Sequence, residues 1–272
     1  MHKENKESPL FSCALVTGAS SGIGEALCRL LAGKKIPLLM AGRDQTRLNN
    51  LAEELRSQVP CTLFSAELSK PRERLLLIEA LRTHAPDLVI NNAGFGLYGE
   101  ALSYPVIDHL ELLDVNGSSV VELSLEAARA LIAAGKNGVV LNVSSAAGTL
   151  TFPYFASYAA SKALVTQFSR AFDYETAPFG VRILTACPGV VNTPFRQRAA
   201  HLPAIKNRGS AMSAEKAARL IWKQILKRKR VYIFDWRTRL GIALAHLLPE
   251  SLIARLLSNE IKKISPSRSL KL

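Results

Sequence analysis

Short apolar runs alternate with helical segments along most of this 272-residue chain, and this alternation limits the folds that are open to it. Between the runs, apolar residues such as Leu48, Leu51 and Leu55 recur at helical spacing. Parallel strands need a crossover between them, and a helix in each crossover covers one face of the sheet. We therefore predict an α/β fold with a doubly wound, mostly parallel seven-stranded sheet and helices on both faces. The predicted strands are Cys13–Thr17, Pro37–Ala41, Thr62–Ser65, Leu88–Asn91, Val139–Val143, Val181–Ala186 and Val231–Phe234, and the clearest helices are Ile23–Ala32, Asp44–Gln58 and Arg72–His84.

The domain organisation is simple, because the sequence contains neither an internal repeat nor a linker. We predict one folded domain at residues 11–235, with a disordered segment at 1–10 before it. Residues 236–272 are predicted to form a basic, helical C-terminal extension. Within the domain, residues 189–212 are polar and lack strong periodicity, which is typical of a lid loop over a site.

The composition is that of a globular protein, with 48% hydrophobic and 21% charged residues. The net charge of +13 is unevenly placed, because residues 201–272 contain 16 Lys and Arg against 4 Asp and Glu. The chain thus has a nearly neutral body and a strongly basic end.

Cysteine usage and the N-terminal residues indicate a reducing compartment. The four cysteines show neither CxxC pairing nor a disulfide-like spacing, and we predict no metal site. Residues 1–9 lack the apolar stretch of a signal peptide, and no apolar run in the sequence is long enough to span a bilayer. A cytoplasmic location is the resulting expectation.

A glycine-rich turn follows the first predicted strand and opens the first predicted helix. It reads Thr17-Gly18-Ala19-Ser20-Ser21-Gly22-Ile23-Gly24. Gly18 allows a sharp turn, a side chain at Gly22 would block the approach of a pyrophosphate, and Gly24 lets the helix pack tightly on the strand. The helix N-terminus adds unpaired N–H groups and a positive dipole end. The GxxxGxG spacing therefore favours a dinucleotide-binding turn over a plain strand–helix connection.

The second predicted strand ends in Gly42-Arg43-Asp44, where an NAD site usually has an acid that holds the ribose hydroxyls. An arginine at this place can pair with a 2′-phosphate, which favours NADP(H) over NAD(H) as the cofactor. In the alternative interpretation, Arg43 is a solvated loop residue and Asp44 only caps the next helix.

Tyr158 and Lys162 lie one turn apart in a helical segment and so share one face of it. A tyrosine with an ordinary pKa of about 10 is a poor acid–base catalyst near neutrality. A lysine ammonium one turn away favours the phenolate, so we expect Lys162 to lower the pKa of Tyr158. Ser145 precedes them at the end of a predicted strand, where a hydroxyl can polarise a carbonyl oxygen. Taken singly, YxxxK pairs are common on exposed helices and serines are common in turns.

In combination, these motifs resemble those of the short-chain dehydrogenase/reductase family over residues 11–234. Thr17–Gly24 and Tyr158–Lys162 match the family's TGxxxGxG and YxxxK motifs. Further family features appear in order: Asn91-Asn92-Ala93-Gly94 after the fourth strand, Asn116 in the next helix, Ser145 before Tyr158, and Pro188-Gly189 with Thr193 after the sixth strand. The resemblance implies a Rossmann-like domain and an enzyme that transfers a hydride between a nicotinamide cofactor and a carbon–oxygen centre.

The resemblance also implies a role for each matched residue. Tyr158 would be the general acid in ketone reduction, and Lys162 would lower its pKa and hold the nicotinamide ribose. Ser145 would bind the substrate oxygen, and Asn116 would hold a water that relays protons to Lys162. Glu67 stands where the family usually has an aspartate that binds the adenine amino group. The residues implied to contact the cofactor are Gly18, Ser20, Ser21, Gly22, Ile23, Gly24, Arg43, Glu67, Leu68, Asn91, Ala93, Gly94, Tyr158, Lys162, Pro188, Gly189, Val191 and Thr193.

The basic end, where the resemblance weakens, has two open interpretations. In the first, Val231–Phe234 is the last strand, Lys227–Arg230 is a solvated helix end, and the tail packs on the body or on a second subunit. In the second, the basic residues, Trp236 and a leucine-rich stretch dock on an anionic membrane. Pro249 interrupts that stretch, which favours two short surface helices.

The leading functional hypothesis is an NADP(H)-dependent reductase of an apolar or lipid-like ketone or acyl substrate. One alternative is a 3-oxoacyl-acyl-carrier-protein reductase whose acidic carrier is attracted by basic charge, although the long C-terminal extension disfavours it. Another is a non-catalytic dinucleotide-binding sensor, which would not need the intact acid–base residues. A homodimer or homotetramer is expected by resemblance. Nucleic-acid binding is not expected, because no nucleic-acid motif accompanies the basic tail.

Overall fold

A seven-stranded parallel sheet forms the centre of the computed structural model, which describes residues 10–200, 211–245 and 247–264. The strands are β1 (Ala14–Thr17), β2 (Leu38–Gly42), β3 (Cys61–Ser65), β4 (Leu88–Asn91), β5 (Gly138–Val143), β6 (Val181–Cys187), β7 (Val191–Asn192), β8 (Met212–Ser213) and β9 (Val231–Ile233). The order in the large sheet is β3-β2-β1-β4-β5-β6-β9, and every neighbouring pair in it is parallel. The predicted doubly wound α/β fold is confirmed, and each predicted strand agrees with the observed one to within one residue at either end.

The order of the strands reverses between β1 and β4, which pair with Ala14 opposite Leu88. From β1 the chain crosses to β2 and β3 on one side, and from β4 to β5, β6 and β9 on the other. The loops after β1 and β4 therefore separate and leave a crevice at the carboxyl ends of the strands.

Helices cover both faces of the sheet. They are α1 (Gly22–Gly33), α2 (Gln45–Leu55), α3 (Pro71–His84), α4 (Val106–Leu113), α5 (Ser119–Ala133), α6 (Ala156–Thr176), α7 (Phe195–Ala200), α8 (Ala214–Leu226), α9 (Trp236–Ala245) and α10 (Glu250–Ile264). α1, α2 and α8 pack in one hydrophobic core, and α3 and α5 pack in a second. Alternate strand residues point to opposite cores, so that Val16 joins the first and Leu15 the second. None of the described helices has the length and hydrophobicity that a membrane crossing requires.

The predicted lid loop at residues 189–212 is more ordered than its sequence suggests. It contains α7 and β7, and β7 pairs with β8 in a separate two-stranded parallel sheet. The pattern was not recognised because two-residue strands and a six-residue helix are too short to show periodicity. Residues 201–210 of this loop lie outside the described residues, as do 1–9 of the predicted disordered segment and 265–272 of the extension.

One local feature near the cavity differs from a regular helix. Asn116 lies in a π-helical turn, Asp114–Ser118, between α4 and α5.

At the C-terminal end, α9 and α10 flank Pro249, in agreement with the prediction of two short helices. The apolar residues of α9 are spread around the helix, whereas those of α10 lie along one side.

A buried carboxylate joins α6 to the sheet. Asp173 is fully buried and accepts hydrogen bonds from Arg182 Nε (2.8 Å), Arg230 Nε (2.6 Å) and the backbone N–H of Ile183 (2.9 Å). Burial alone would raise the pKa of Asp173, but these hydrogen bonds outweigh it and hold the pKa below its ordinary value. The C-terminal half of α6 is thereby fixed against β6 and the start of β9.

Substitution of Asp173 by Ala should lower the free energy of unfolding by about 3–5 kcal/mol, because it leaves two arginines without their buried partner. Glu54→Ala removes an exposed ion pair with Arg29 and should cost at most about 1 kcal/mol. Urea unfolding at pH 7 measures both values. The contribution of Asp173 should be complete above its unfolded-state pKa and should be lost as the pH falls through its lower folded-state pKa. Equal destabilisation by the two variants would contradict this assignment.

Candidate active site

A cavity of about 560 Å³ opens at the carboxyl ends of the parallel strands. Loops that follow β1, β2, β3, β4, β5 and β6 all contribute to its lining, because parallel strands deliver their ends to the same edge of the sheet. One end of the cavity is formed by the glycine-rich turn, and the other is formed by aromatic side chains. A cavity of this size and mixed character is typical of a small-molecule site.

The glycine-rich turn packs against the loop after β4. Gly18 has a φ of +66°, and a Cβ on it would lie 2.9 Å from the Cα of Ala93. A Cβ on Gly24 would collide with the carbonyl oxygen of Gly18, so that Gly24 supports the turn from behind and does not line the cavity. The turn leads into α1 at Gly22, where the first N–H groups of the helix and its positive dipole end are placed for a phosphate.

Hydrogen bonds to Thr17, at the end of β1, fix the loop after β4. The hydroxyl of Thr17 accepts hydrogen bonds from the backbone N–H groups of Asn92 and Ala93, both at 3.0 Å. Asn92, Ala93 and Gly94 then line the cavity. Asn91 is not among these lining residues, and its predicted contact with the cofactor stays a prediction. Its side chain is buried and donates to Asn142 Oδ1 (2.8 Å), because neighbouring residues of a strand point to opposite faces.

Arg43 and Glu67 line the same end of the cavity and pair with each other. Arg43 Nη1 lies 3.2 Å from Glu67 Oε2, and the side chain of Arg43 is 57% exposed. The two residues were expected to contact different parts of a cofactor, and they lie at adjacent strand ends, after β2 and β3. Asp44 accepts a hydrogen bond from the backbone N–H of Arg47 and caps α2, as its alternative interpretation predicts.

Arg198 is a cavity residue that the sequence analysis missed. It lies on α7, and its Nη2 donates to the hydroxyl of Ser21 at 3.1 Å. Burial, and then the charges of Arg43 and Arg47, lower the pKa of Arg198. The residue stands in a polar stretch without periodicity, and no local signal distinguishes it from the other basic residues there.

The predicted acid–base residues meet in the middle of the cavity. Tyr158, Lys162 and Ser145 all line it, and Tyr158 and Lys162 are only 8% and 4% exposed. Lys162 Nζ donates to the carbonyl oxygen of Val143 (3.0 Å) and lies 5.7 Å from the centroid of the Tyr158 ring. Ser145 forms a hydrogen bond with the phenol of Tyr158. The strand end of β5 and the first turns of α6 thus bring the three groups together.

The pKa values correct one expectation. Burial raises the pKa of Tyr158, and the hydrogen bond with Ser145 opposes this only partly. Burial also lowers the pKa of Lys162 to about 8. Lys162 does not contribute to the shift of Tyr158, and desolvation favours the neutral form of each group.

Asn116 lies beside this site without reaching the cavity. Its side chain is fully buried, accepts from the backbone N–H of Phe95 (3.0 Å), and donates to the carbonyl oxygen of Phe95 (2.8 Å) and to Ser161 Oγ (3.2 Å). Both amide hydrogens of Asn116 are thus used within the protein. The side chain of Asn116 thus positions the loop after β4, and its predicted role as a water ligand stays a prediction.

Aromatic side chains form the far end of the cavity. Phe155 stacks between Tyr98 and Tyr158, with ring centroids 4.0 Å and 4.2 Å away. Phe195 lies 5.4 Å from the Tyr158 ring, and Phe152 lies 6.1 Å from Phe155. These residues come from the loop after β4, the start of α6 and α7, so that no single segment of the sequence indicates them. The wall favours an apolar ligand next to the phenol.

The other predicted cofactor residues can be placed against this cavity. Its lining includes Ser20, Ser21, Gly22, Ile23, Leu68, Pro188, Gly189, Val191 and Thr193, and also Thr238 and Ile242 of α9, which were not predicted. Within the described residues, no group of three or more His, Cys, Asp and Glu side chains could hold a metal ion.

Comparison with known proteins identifies the family. The family model for short chain dehydrogenases matches residues 12–202. Galactitol 2-dehydrogenase (L-tagatose-forming) from Cereibacter sphaeroides is 33% identical over 184 residues, which cover 67% of this chain and 72% of that protein.

Two solved structures show the same fold over nearly the whole chain. A short-chain dehydrogenase from Sphingobium yanoikuyae in complex with NADPH has a TM-score of 0.77 at 24% identity, with 96% of this chain and 98% of that chain covered. The bulky-bulky ketone specific alcohol dehydrogenase from Comamonas testosteroni has a TM-score of 0.75 at 23% identity, with 96% of each chain covered. With the family match, the glycine-rich turn and the Ser145, Tyr158 and Lys162 site, the chain belongs to the short-chain dehydrogenase/reductase family and is an oxidoreductase of that family.

Proposed function

We propose that this protein is an NADPH-dependent reductase of bulky apolar ketones. The observation that carries the proposal is the arrangement of one cavity, with arginines and a glycine-rich turn at one end and an aromatic wall at the other. The acid–base residues lie between these two ends. A dinucleotide and an apolar carbonyl compound would meet at Tyr158.

The residues of the cavity fit a dinucleotide. The turn at Gly18–Gly22 and the N-terminus of α1 would hold the pyrophosphate, and Arg43 would face the adenosine ribose. Lys162 and the loop at Ala93 and Gly94 would hold the ribose of the nicotinamide. When bound, NADPH supplies the hydride that adds to the carbonyl carbon.

The protein supplies the proton and the positioning. The hydroxyl of Ser145 would donate a hydrogen bond to the substrate carbonyl oxygen, and Tyr158 would transfer its phenolic proton to that oxygen as the carbon accepts the hydride. The carbonyl double bond becomes a single bond, and an alcohol is formed. Burial favours the protonated phenol, which is the form that this step requires. The ammonium of Lys162 would stabilise the phenolate that remains.

The aromatic wall supports a bulky apolar substrate. Phe152, Phe155 and Phe195 contribute apolar surface next to Tyr158, and Ile242 of α9 adds to it. The bulky-bulky ketone specific alcohol dehydrogenase shares this fold, which is consistent with such a substrate. A polyol such as galactitol would leave its hydroxyls unpaired against these rings. Thr238 and Ile242 of α9 line the cavity as well, and this part of the long C-terminal extension disfavours the 3-oxoacyl-acyl-carrier-protein alternative.

Tyr158→Phe should reduce kcat for ketone reduction by about 10²–10⁴-fold, because only the transferable proton is removed. NADPH affinity, measured by nucleotide fluorescence, should stay nearly unchanged. Tyr174→Phe is the matched control, since this exposed tyrosine lies on the same helix away from the cavity. A Tyr158→Phe enzyme that keeps its activity would assign the acid role to another residue.

Arg43→Ala should weaken NADPH binding by about 10–100-fold and NADH binding far less, because the loss of a charge-assisted hydrogen bond affects only the phosphorylated ribose. Titration of both cofactors measures the two dissociation constants. Arg56→Ala, at an exposed position at the end of α2 and outside the cavity lining, is the control. Equal losses for the two cofactors would show that Arg43 does not recognise a 2′-phosphate.

We also propose that α9 and α10 dock on an anionic membrane surface from which an apolar substrate enters. Thr238 and Ile242 of α9 line the cavity, whereas Trp236, Leu240 and Leu244 of the same helix are exposed. Apolar groups on both sides of α9 would connect a lipid surface to the site. The basic segment Lys227–Arg230, before β9, would complement anionic headgroups.

Flotation with phosphatidylcholine vesicles, with and without phosphatidylglycerol, tests the membrane proposal. The protein should float only with the anionic vesicles, and Leu240→Ser/Leu244→Ser should stay in the soluble fraction. Leu75→Ser/Leu76→Ser is a matched control on α3, because all four leucines are 50–58% exposed. Recovery of the unaltered protein in the soluble fraction with both vesicle types would contradict the proposal.

A further inference from the structure

Arg198 brings a second guanidinium to the end of the cavity where Arg43 lies. It comes from α7, far along the chain from the turn that it contacts, and it donates a hydrogen bond to the hydroxyl of Ser21. Ser21 precedes α1 and does not use its side chain to cap that helix. The hydroxyl is therefore available to orient Arg198 beside the glycine-rich turn.

Within the described part of the chain, Arg198 has no carboxylate partner. Arg43 pairs with Glu67 at 3.2 Å, and Arg47 pairs with Asp44 at 3.2 Å. The nearby acids are thus already engaged, while Arg198 is an exposed residue whose charge is opposed by those of both arginines. Cations that converge without a matching negative charge favour the binding of an anion.

The position of this charge selects among the anions of a dinucleotide. Gly42 ends β2, Arg43 and Asp44 follow it, and all three line the cavity where the adenosine ribose of a doubly wound fold lies. The pyrophosphate already has the N–H groups of the turn and of α1. An additional guanidinium next to Arg43 therefore fits a phosphate on the ribose.

α7 also reaches the opposite end of the cavity. Phe195, at its first residue, packs on the ring of Tyr158 at 5.4 Å. The carbonyl oxygen of Ala199 accepts a hydrogen bond from the backbone N–H of Tyr98 (2.9 Å), which stacks on Phe155. The short helix α7 thus carries Arg198 at one end of the cavity, and at the other end it contacts the aromatic wall and Tyr158.

We propose that Arg198 binds the 2′-phosphate of the cofactor together with Arg43, and that this contact fixes α7 so that Phe195 closes the substrate side of the cavity. The inference rests on the proposed function, because it requires a cofactor that carries this phosphate. In this proposal, α7 determines specificity at both ends of the cavity: Arg198 recognises the cofactor, and Phe195 shapes the substrate site.

The binding test compares Arg198→Gln and Arg198→Ala with the unaltered protein, using NADPH, NADH, 2′-AMP and 5′-AMP. Both variants should bind NADPH and 2′-AMP about 10–100-fold more weakly and should bind NADH and 5′-AMP within about threefold of the unaltered protein. Gln197→Ala, an exposed neighbour on α7, is the control and should bind all four ligands normally. Thermal unfolding shows whether each variant is folded before it is titrated.

Hydrogen–deuterium exchange tests the second half of the proposal without turnover. NADPH should protect the amides of residues 191–200 more than NADH does at equal saturation, and Arg198→Gln should remove this difference. Equal protection of residues 191–200 by both cofactors in the unaltered protein would overturn the closure of α7.

The outcomes separate this inference from the proposed function. If the unaltered protein binds NADPH no better than NADH, the cofactor assignment fails and the inference fails with it. If the protein prefers NADPH and Arg198→Gln leaves that preference intact, only the inference is overturned. Equal losses for NADPH and NADH in Arg198→Gln would assign Arg198 to the pyrophosphate and would also overturn it.

Discussion

The junction between the end of β5 and the catalytic helix α6 is the contact on which the site depends. Lys162 Nζ donates to the carbonyl oxygen of Val143, and Ser144 Oγ donates to the carbonyl oxygen of Lys162 at 2.7 Å. Gly148 allows this approach, because a Cβ on it would lie 2.6 Å from the carbonyl carbon of Lys162. Since Ser145 follows Ser144 directly, the same junction that holds the lysine also places the serine hydroxyl beside the phenol of Tyr158.

This packing has an electrostatic consequence that works in favour of catalysis. Burial favours the neutral forms, and so raises the pKa of Tyr158 and lowers that of Lys162 to about 8. Titratable groups whose environments shift their pKa values in opposite directions commonly divide acid and base roles between them. In the proposed mechanism, the phenol would supply its proton to a developing alkoxide. Lys162 would then stabilise the phenolate that remains.

Most of the fold could be predicted from the sequence, because buried parallel strands leave continuous apolar runs such as Val181–Ala186 and the turns between them carry glycine. The acid–base residues could also be predicted from the sequence, since Tyr158 and Lys162 lie one helical turn apart and Ser145 follows a strand. The motif alone does not show where the Asn91 side chain points, because a strand directs neighbouring residues to opposite faces. Asn142 lies beside Asn91 in the register of β4 and β5 and accepts its hydrogen bond.

The parts that sequence reasoning missed share one physical property: they come from segments that lie outside the sheet and meet only in the folded chain. Phe155 precedes α6, Phe195 and Arg198 lie on α7, and Ile242 lies on α9. None of these segments belongs to the parallel sheet, although Phe155 and Phe195 contact the ring of Tyr158. The residues that match the family motifs lie at strand ends and on α6, whereas the aromatic wall and Arg198 come from peripheral segments. This division explains why a family motif identifies the chemistry of the site and leaves its aromatic wall and Arg198 to be found in three dimensions.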